Sequence, residues 1–208
     1  MPPVRPIASL TGFLLPLMLL SSPADAAPRT APGVIGCTGP LSKNVSHARL
    51  VKAFGKRNVT IEAVGIGEGE TQVASVIFPR DPARRIEVLW IDEKRRRKAS
   101  EIRTGIDATW RTEHGIRRGM PLSEVEALNG RPFELWGFGF DYGGTTLDWK
   151  GGALATQSGG CTLVLRFAMR DGADNAAVYV GEQSLMSDQE GTRKADPVID
   201  QVMLQFTQ

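Results

Sequence analysis

The 208-residue sequence has little of what enzyme and metal chemistry most often draws on. It contains two histidines, His47 and His114, and two cysteines, Cys37 and Cys161. No G-x-S-x-G, H-E-x-x-H, P-loop or C-x-x-C pattern occurs, which removes the commonest signatures of serine hydrolases, zinc peptidases, phosphate-binding loops and thiol oxidoreductases. Imidazoles and thiols this sparse leave no expected metal site, and the acidic residues lack the spacing of a calcium loop. No cofactor is expected. An excess of one charge is missing too. The 25 basic and 23 acidic side chains give a formal charge of +2, which speaks against a nucleic-acid partner. Past the first 20 residues no apolar run approaches the ~20 residues that a membrane-crossing helix needs.

What is present begins at the N-terminus. Arg5 precedes a mostly apolar run from Ile7 to Leu20, and Ala24-Asp25-Ala26 supplies a small-x-small site. One positive charge, a short apolar core and small residues form the pattern of a cleaved secretory signal. Residues 1–26 are therefore expected to be a signal peptide, with residues 27–208 exported to a periplasmic or secreted location and carrying no transmembrane segment. In an oxidising compartment the pair Cys37 and Cys161 reads as a disulfide. Two other readings of these residues are a lipid-modified Cys37, preceded by Val34-Ile35-Gly36, and a Cys161 nucleophile with His114 as base.

The chain repeats itself. The segment from Ser42 to Gly55 places Val45, Leu50, Val51 and Phe54 on the apolar face of a short helix ended by glycine. Met120 to Gly130 does the same with Leu122, Val125 and Leu128, Pro121 opening the turn and Ser123 or its neighbours capping it. The two terminal glycines are 75 positions apart, and apolar stretches after each correspond at the same offset. Alternation predicts strands over 58–66, 71–78, 85–91 and 100–106, then over 133–142, 145–150, 161–169 and 198–206. The expected fold class is α+β: two tandem modules, each a short helical segment followed by an antiparallel meander of three to four strands. The first would cover 27–108 and the second 109–208, with an insertion at about 170–197 that is partly helical.

The segment Gly119-Met120-Pro121-Leu122-Ser123-Glu124-Val125, followed by Leu128-Asn129-Gly130-Arg131-Pro132, resembles the opening of the small outer-membrane lipoprotein modules of the BamE/SmpA type. Two such units in tandem resemble the β-lactamase-inhibitor-protein fold. The resemblance implies a concave sheet offered to a protein partner, and a binding, assembly or inhibitor role in the bacterial envelope without catalysis.

Candidate binding residues follow from the stretch 133–142. Period-two geometry puts Trp136, Phe138, Phe140 and Tyr142 on one face, with Trp149 nearby. These aromatics are either core beneath the helices or anchors on an open sheet, where interface hot spots concentrate. Charge is also uneven: residues 80–118 hold 12 basic and 7 acidic side chains, while 171–208 hold 2 and 7. Lys94, Arg95, Arg96, Arg97 and Lys98 form an unbroken basic run, readable as a solvated loop or as a patch for an anionic envelope surface. The alternative to binding is a carboxylate-dependent hydrolase of envelope glycan using Glu134, Asp141 and Asp148, since paired carboxylates about 5 to 10 Å apart act on glycosidic bonds.

Overall fold

Helix α1 (His47–Phe54) starts where the Ser46 hydroxyl accepts the Arg49 N–H, and it ends where Gly55 turns to a positive φ and donates its N–H to the Val51 carbonyl. The computed structural model describes residues 33–170 and 180–207; the expected signal peptide over 1–26, and residues 171–179 of the expected insertion, lie outside the described residues. Before α1 comes the two-residue strand β1 (Val34–Ile35); after it come β2 (Val59–Gly67), β3 (Glu70–Ile77), β4 (Ile86–Asp92), β5 (Arg97–Thr104) and β6 (Arg111–Thr112). The second half contributes α2 (Leu122–Asn129), β7 (Glu134–Trp136), β8 (Thr146–Asp148), β9 (Thr162–Ala168), β10 (Ser184–Met186), α3 (Glu190–Ala195) and β11 (Val198–Gln205).

The first turn of α2 is capped from a distance. Pro121 stands at the helix entry, and the Asp196 carboxylate accepts the Ser123 N–H at 2.9 Å and the Ser123 hydroxyl at 3.2 Å. Ser123 is thus the capped residue rather than the cap, and an acid placed just after α3 supplies the negative charge that a helix start favours. At the other end Gly130 adopts the left-handed conformation expected of a terminating glycine.

Antiparallel pairing dominates this α+β architecture. The main sheet has six strands in the order β2-β3-β4-β5-β11-β9, while β10-β7-β8 form a second sheet and β1 pairs parallel with β6. The last strand, β11, inserts between β5 and β9, so strands from both halves of the chain share one sheet. One hydrophobic core, from Ile35 and Leu50 through Trp90 and Ile102 to Phe133, Phe167 and Leu204, underlies them all. The disulfide Cys37–Cys161 closes 124 residues with its Cα atoms 6.0 Å apart, and both sulfurs belong to that core.

The sheet curls. Arg103 on β5 donates to the Gly65 carbonyl on β2 at 2.6 Å, although three strand spacings of a flat sheet would set those strands about 14 Å apart. The inner face of the curl carries a small apolar cluster of Val64, Ala74, Val76 and Leu89. Beside it runs a half-buried ion network in which Arg103 meets Glu87 at 2.8 Å and Arg85 meets Glu62 at 3.0 Å and Glu87 at 2.9 Å. Burial works against the Arg85 charge, but the Glu87 and Glu62 carboxylates outweigh it and raise its pKa. This curl carries the tip of the β2–β3 hairpin towards the far edge of the sheet, where the Thr145–Arg166 bridge and the Phe167 N–H to Gly144 carbonyl bond attach the β7–β8 loop to β9.

Candidate functional site

At that meeting point the Glu68 N–H, in the β2–β3 turn, donates to the Asp141 carboxylate in the β7–β8 loop. The two segments enclose an open cavity of about 460 Å³ lined by Glu68, Trp136, Phe140, Asp141, Tyr142 and Glu182. Trp136 and Phe140 stand nearly perpendicular, at 80°, with centroids 6.2 Å apart, and so form two walls of a corner. Tyr142 is 48% exposed. Its hydroxyl lies against the hairpin turn: a Cβ on Gly67, whose φ is +106°, would come 3.4 Å from it. The backbone angle is what favours glycine there, while the tyrosine hydroxyl sits at van der Waals distance from the turn.

The loop that presents these side chains is held by backbone bonds rather than by a continuous strand. Trp136 N–H donates to the Thr145 carbonyl at 2.8 Å, Gly137 N–H to Gln183 at 2.8 Å and Gly144 N–H to Gly137 at 2.9 Å. Gly144 makes the tightest approach, for a Cβ on it would fall 2.2 Å from the Phe167 carbonyl. Regular alternation stops at Trp136, and this splits the aromatic set. Trp136, Phe140 and Tyr142 line the cavity, whereas Phe138 and Trp149 are buried at 7% and 5% exposure. Trp149 spends its indole N–H on the Leu163 carbonyl at 2.8 Å and packs on Phe133 at 4.9 Å, so it belongs to the core.

The carboxylates named for hydrolysis are also divided. Glu134 and Asp148 oppose one another across β7 and β8, and Lys150 Nζ lies 2.5 Å from Glu134 and 3.2 Å from Asp148. The Lys150 hydrogen bond, seconded by Ser184, holds Glu134 below the usual carboxylate range; the Lys150 backbone N–H and then its side chain do the same to Asp148. Groups kept ionised in this way do not supply a general acid at neutral pH. Asp141 is in the cavity, apart from them, and accepts the Glu68 N–H. Glu68 and Glu182 escaped the sequence reading because each sits in a turn whose local pattern says nothing of a site; only the curl of the sheet brings them together. Cys161, bound in the disulfide, is no free nucleophile, and His114 instead faces Glu113 at 3.9 Å. Among the described residues no group of three His, Cys, Asp or Glu side chains is arranged to hold a metal ion.

The basic run occupies the β4–β5 turn. Asp92 accepts the Arg95 N–H at 2.9 Å, and Arg96 and Lys98 take positive φ values of 49° and 58°. Its backbone seats the start of α1, with the Arg96 carbonyl accepting the His47 N–H at 3.1 Å and Lys98 N–H donating to Val45 at 3.0 Å. The side chains of Lys94, Arg95, Arg97 and Lys98 remain exposed, and Lys43, Asn44, Ile91 and Lys98 line a hollow of about 390 Å³ beside them. Burial first, and the nearby Arg96 charge second, lower the pKa of His47, whose Nδ1 lies 2.8 Å from the Ser75 hydroxyl.

Comparisons with protein families, with curated proteins and with solved structures find no match. The functional assignment therefore comes from the chain's own geometry.

Proposed function

We propose that this protein is an exported, non-catalytic binding or assembly protein of the bacterial cell envelope, which captures a protein or envelope component in the pocket between the β2–β3 turn and the β7–β8 loop. The observation that carries this reading is the open corner of Trp136 and Phe140, with Tyr142 at its mouth. Large aromatic side chains left outside a core that otherwise buries Phe133, Phe138 and Trp149 have the composition of an interaction hot spot. Export agrees with the Cys37–Cys161 disulfide and with a described chain in which no helix is long and apolar enough to cross a membrane. The tandem-module arrangement belongs to the same proposal. Pairing of β7 with β8, and the bridge from Thr145 to Arg166 of β9, follow the order of β2, β3 and β4, and the pocket would lie where the two units meet. The exposed basic turn would add attraction to an anionic envelope surface.

The test is capture from solubilised envelope on immobilised protein, run in parallel with wild type and Trp136→Ala. The reading predicts a component retained by the first and lost from the second, with the variant's circular dichroism unchanged. Equal retention by both would remove the pocket from the interface.

A further inference from the structure

Three further features of the molecule invite a role: the charge of the pocket, the hollow beside the basic turn and the half-buried ion network. Of the hollow's lining, Lys43 is already tied to the Thr207 carbonyl. The network of Arg85, Arg103, Glu62, Glu87 and Glu101 gives every one of its charges an opposite partner and leaves a net charge of −1. The pocket differs from both. Among the described residues three of its six lining side chains are carboxylic acids, the other three are aromatic, and none is basic. Glu68 and Glu182 have no basic partner among the described residues.

We infer that this pocket is an aromatic cage for an alkylammonium group, which the ring faces of Trp136, Phe140 and Tyr142 receive and the carboxylates of Glu68 and Glu182 neutralise. The inference rests on the pocket being the binding site, and it names the chemistry that the site selects. A cation is attracted to the negative face of an aromatic ring, most strongly for tryptophan, and more so where solvent is displaced. Two rings at 80° enclose a compact, rounded cation, whereas a planar guanidinium would stack on only one of them. The same chain already uses a single ring for a guanidinium, with Arg84 4.2 Å above Phe78. Asp141 accepts the Glu68 N–H and fixes the wall while keeping its charge, which adds to that of Glu68 and Glu182 around the ligand. A metal ion fits less well, because the acids do not converge as a ligand set. The ammonium could come from a lysine side chain of a protein partner or from a free quaternary ammonium solute, and both present the same group.

The experiment follows the Trp136 indole N–H resonance of the full exported chain while choline, Nα-acetyl-lysine N-methylamide and the uncharged choline isostere 3,3-dimethylbutan-1-ol are added in turn. The expected result is saturable movement with one or both cations and at least about tenfold weaker binding of the isostere. Glu182→Gln, which keeps shape and removes charge, should weaken the cation severalfold, as should Tyr142→Ala. Preference for choline identifies a free solute, and preference for the lysine derivative identifies a partner side chain. Equal binding of the isostere, or no saturable response to either cation, overturns the inference. If Trp136-dependent capture from envelope survives that failure, the pocket remains the interface and only the cation is lost. If capture is also independent of Trp136, the pocket reading falls with it.

Discussion

The β2–β3 and β4–β5 turns lie at the same end of the main sheet, because β3 and β4 run antiparallel, yet their side chains are engaged differently. The basic turn is closed by its own side chain, Asp92 accepting the N–H of Arg95, three residues on, with its guanidinium 3.4 Å away, while its backbone bonds to the start of α1. The acidic turn is fixed by Asp141, 73 residues away, and by Tyr142 against Gly67. A turn closed by its own side chain forms as soon as its hairpin forms and leaves its charges in solvent. The acidic turn, a tight hairpin closed locally by the Gly67–Glu70 pairing, meets its distant loop only in the finished fold, and that docking also builds a cavity. This difference is why the acidic turn, and not the longer run of charge, is the better place to look for selective recognition.

The comparison can be broken most severely from below. Phe133 is fully buried against Trp149 and Phe167, so Phe133→Ala should cost about 3–5 kcal/mol in denaturant unfolding. Hydrogen exchange on that variant should loosen Trp136 and Gly144 at the pocket while the Arg95 amide keeps its wild-type rate. Uniform acceleration at both turns would show that they are one cooperative unit. Removing the remote tie alone should do less: Asp141→Ala is expected to cost about 1 kcal/mol and to free the Glu68 amide. Its counterpart, Asp92→Ala, should speed exchange at Arg95 and leave the unfolding midpoint where it is. Similar midpoints for the two variants would erase the distinction.

The smallest effect concerns acid. Glu134 and Asp148 have folded-state pKa values below their ordinary ones, chiefly through Lys150. Their contribution to stability is therefore complete above the ordinary carboxylate range and is lost as pH falls through the lowered folded values. Carboxyl-carbon NMR titration should find both groups titrating low, and Lys150→Met should move both midpoints upward. Unmoved midpoints would mean that the lysine does not hold the pair.

Much of the fold was readable because its signals are local. Gly55 ends α1 and Gly130 ends α2, alternation locates β2, β3, β4, β9 and β11, and two cysteines in an oxidising compartment pair, whereas the helix expected from Ser42 begins only at His47 and leaves Val45 ahead of it. The long strand expected over 133–142 shrank to Glu134–Trp136 because Gly137, Gly139, Gly143 and Gly144 favour a folded loop, and with the strand went the assumption that four aromatics share a face. The Phe138 side chain turned into the core while its backbone pairs with Val180, and Trp136, Phe140 and Tyr142 stayed at the cavity. The placement of β11 between β5 and β9 was not legible either, since pairing partners distant in the chain leave no periodic mark. For the same reason the acids of the site were half visible. Asp141 belonged to a conspicuous segment, while Glu68 and Glu182 acquire their meaning only from the curl.

The central claim is that Trp136 is an outward-facing binding residue, unlike Trp149 thirteen positions later in the core. It is tested most directly by measuring, on the same preparation of Trp136→Ala, the thermal midpoint and the retention of the envelope component. The account predicts a midpoint within a few degrees of wild type, as for a change of about 1 kcal/mol, together with lost retention. A midpoint that collapses as it does for Phe133→Ala, or retention that is undiminished, would contradict it.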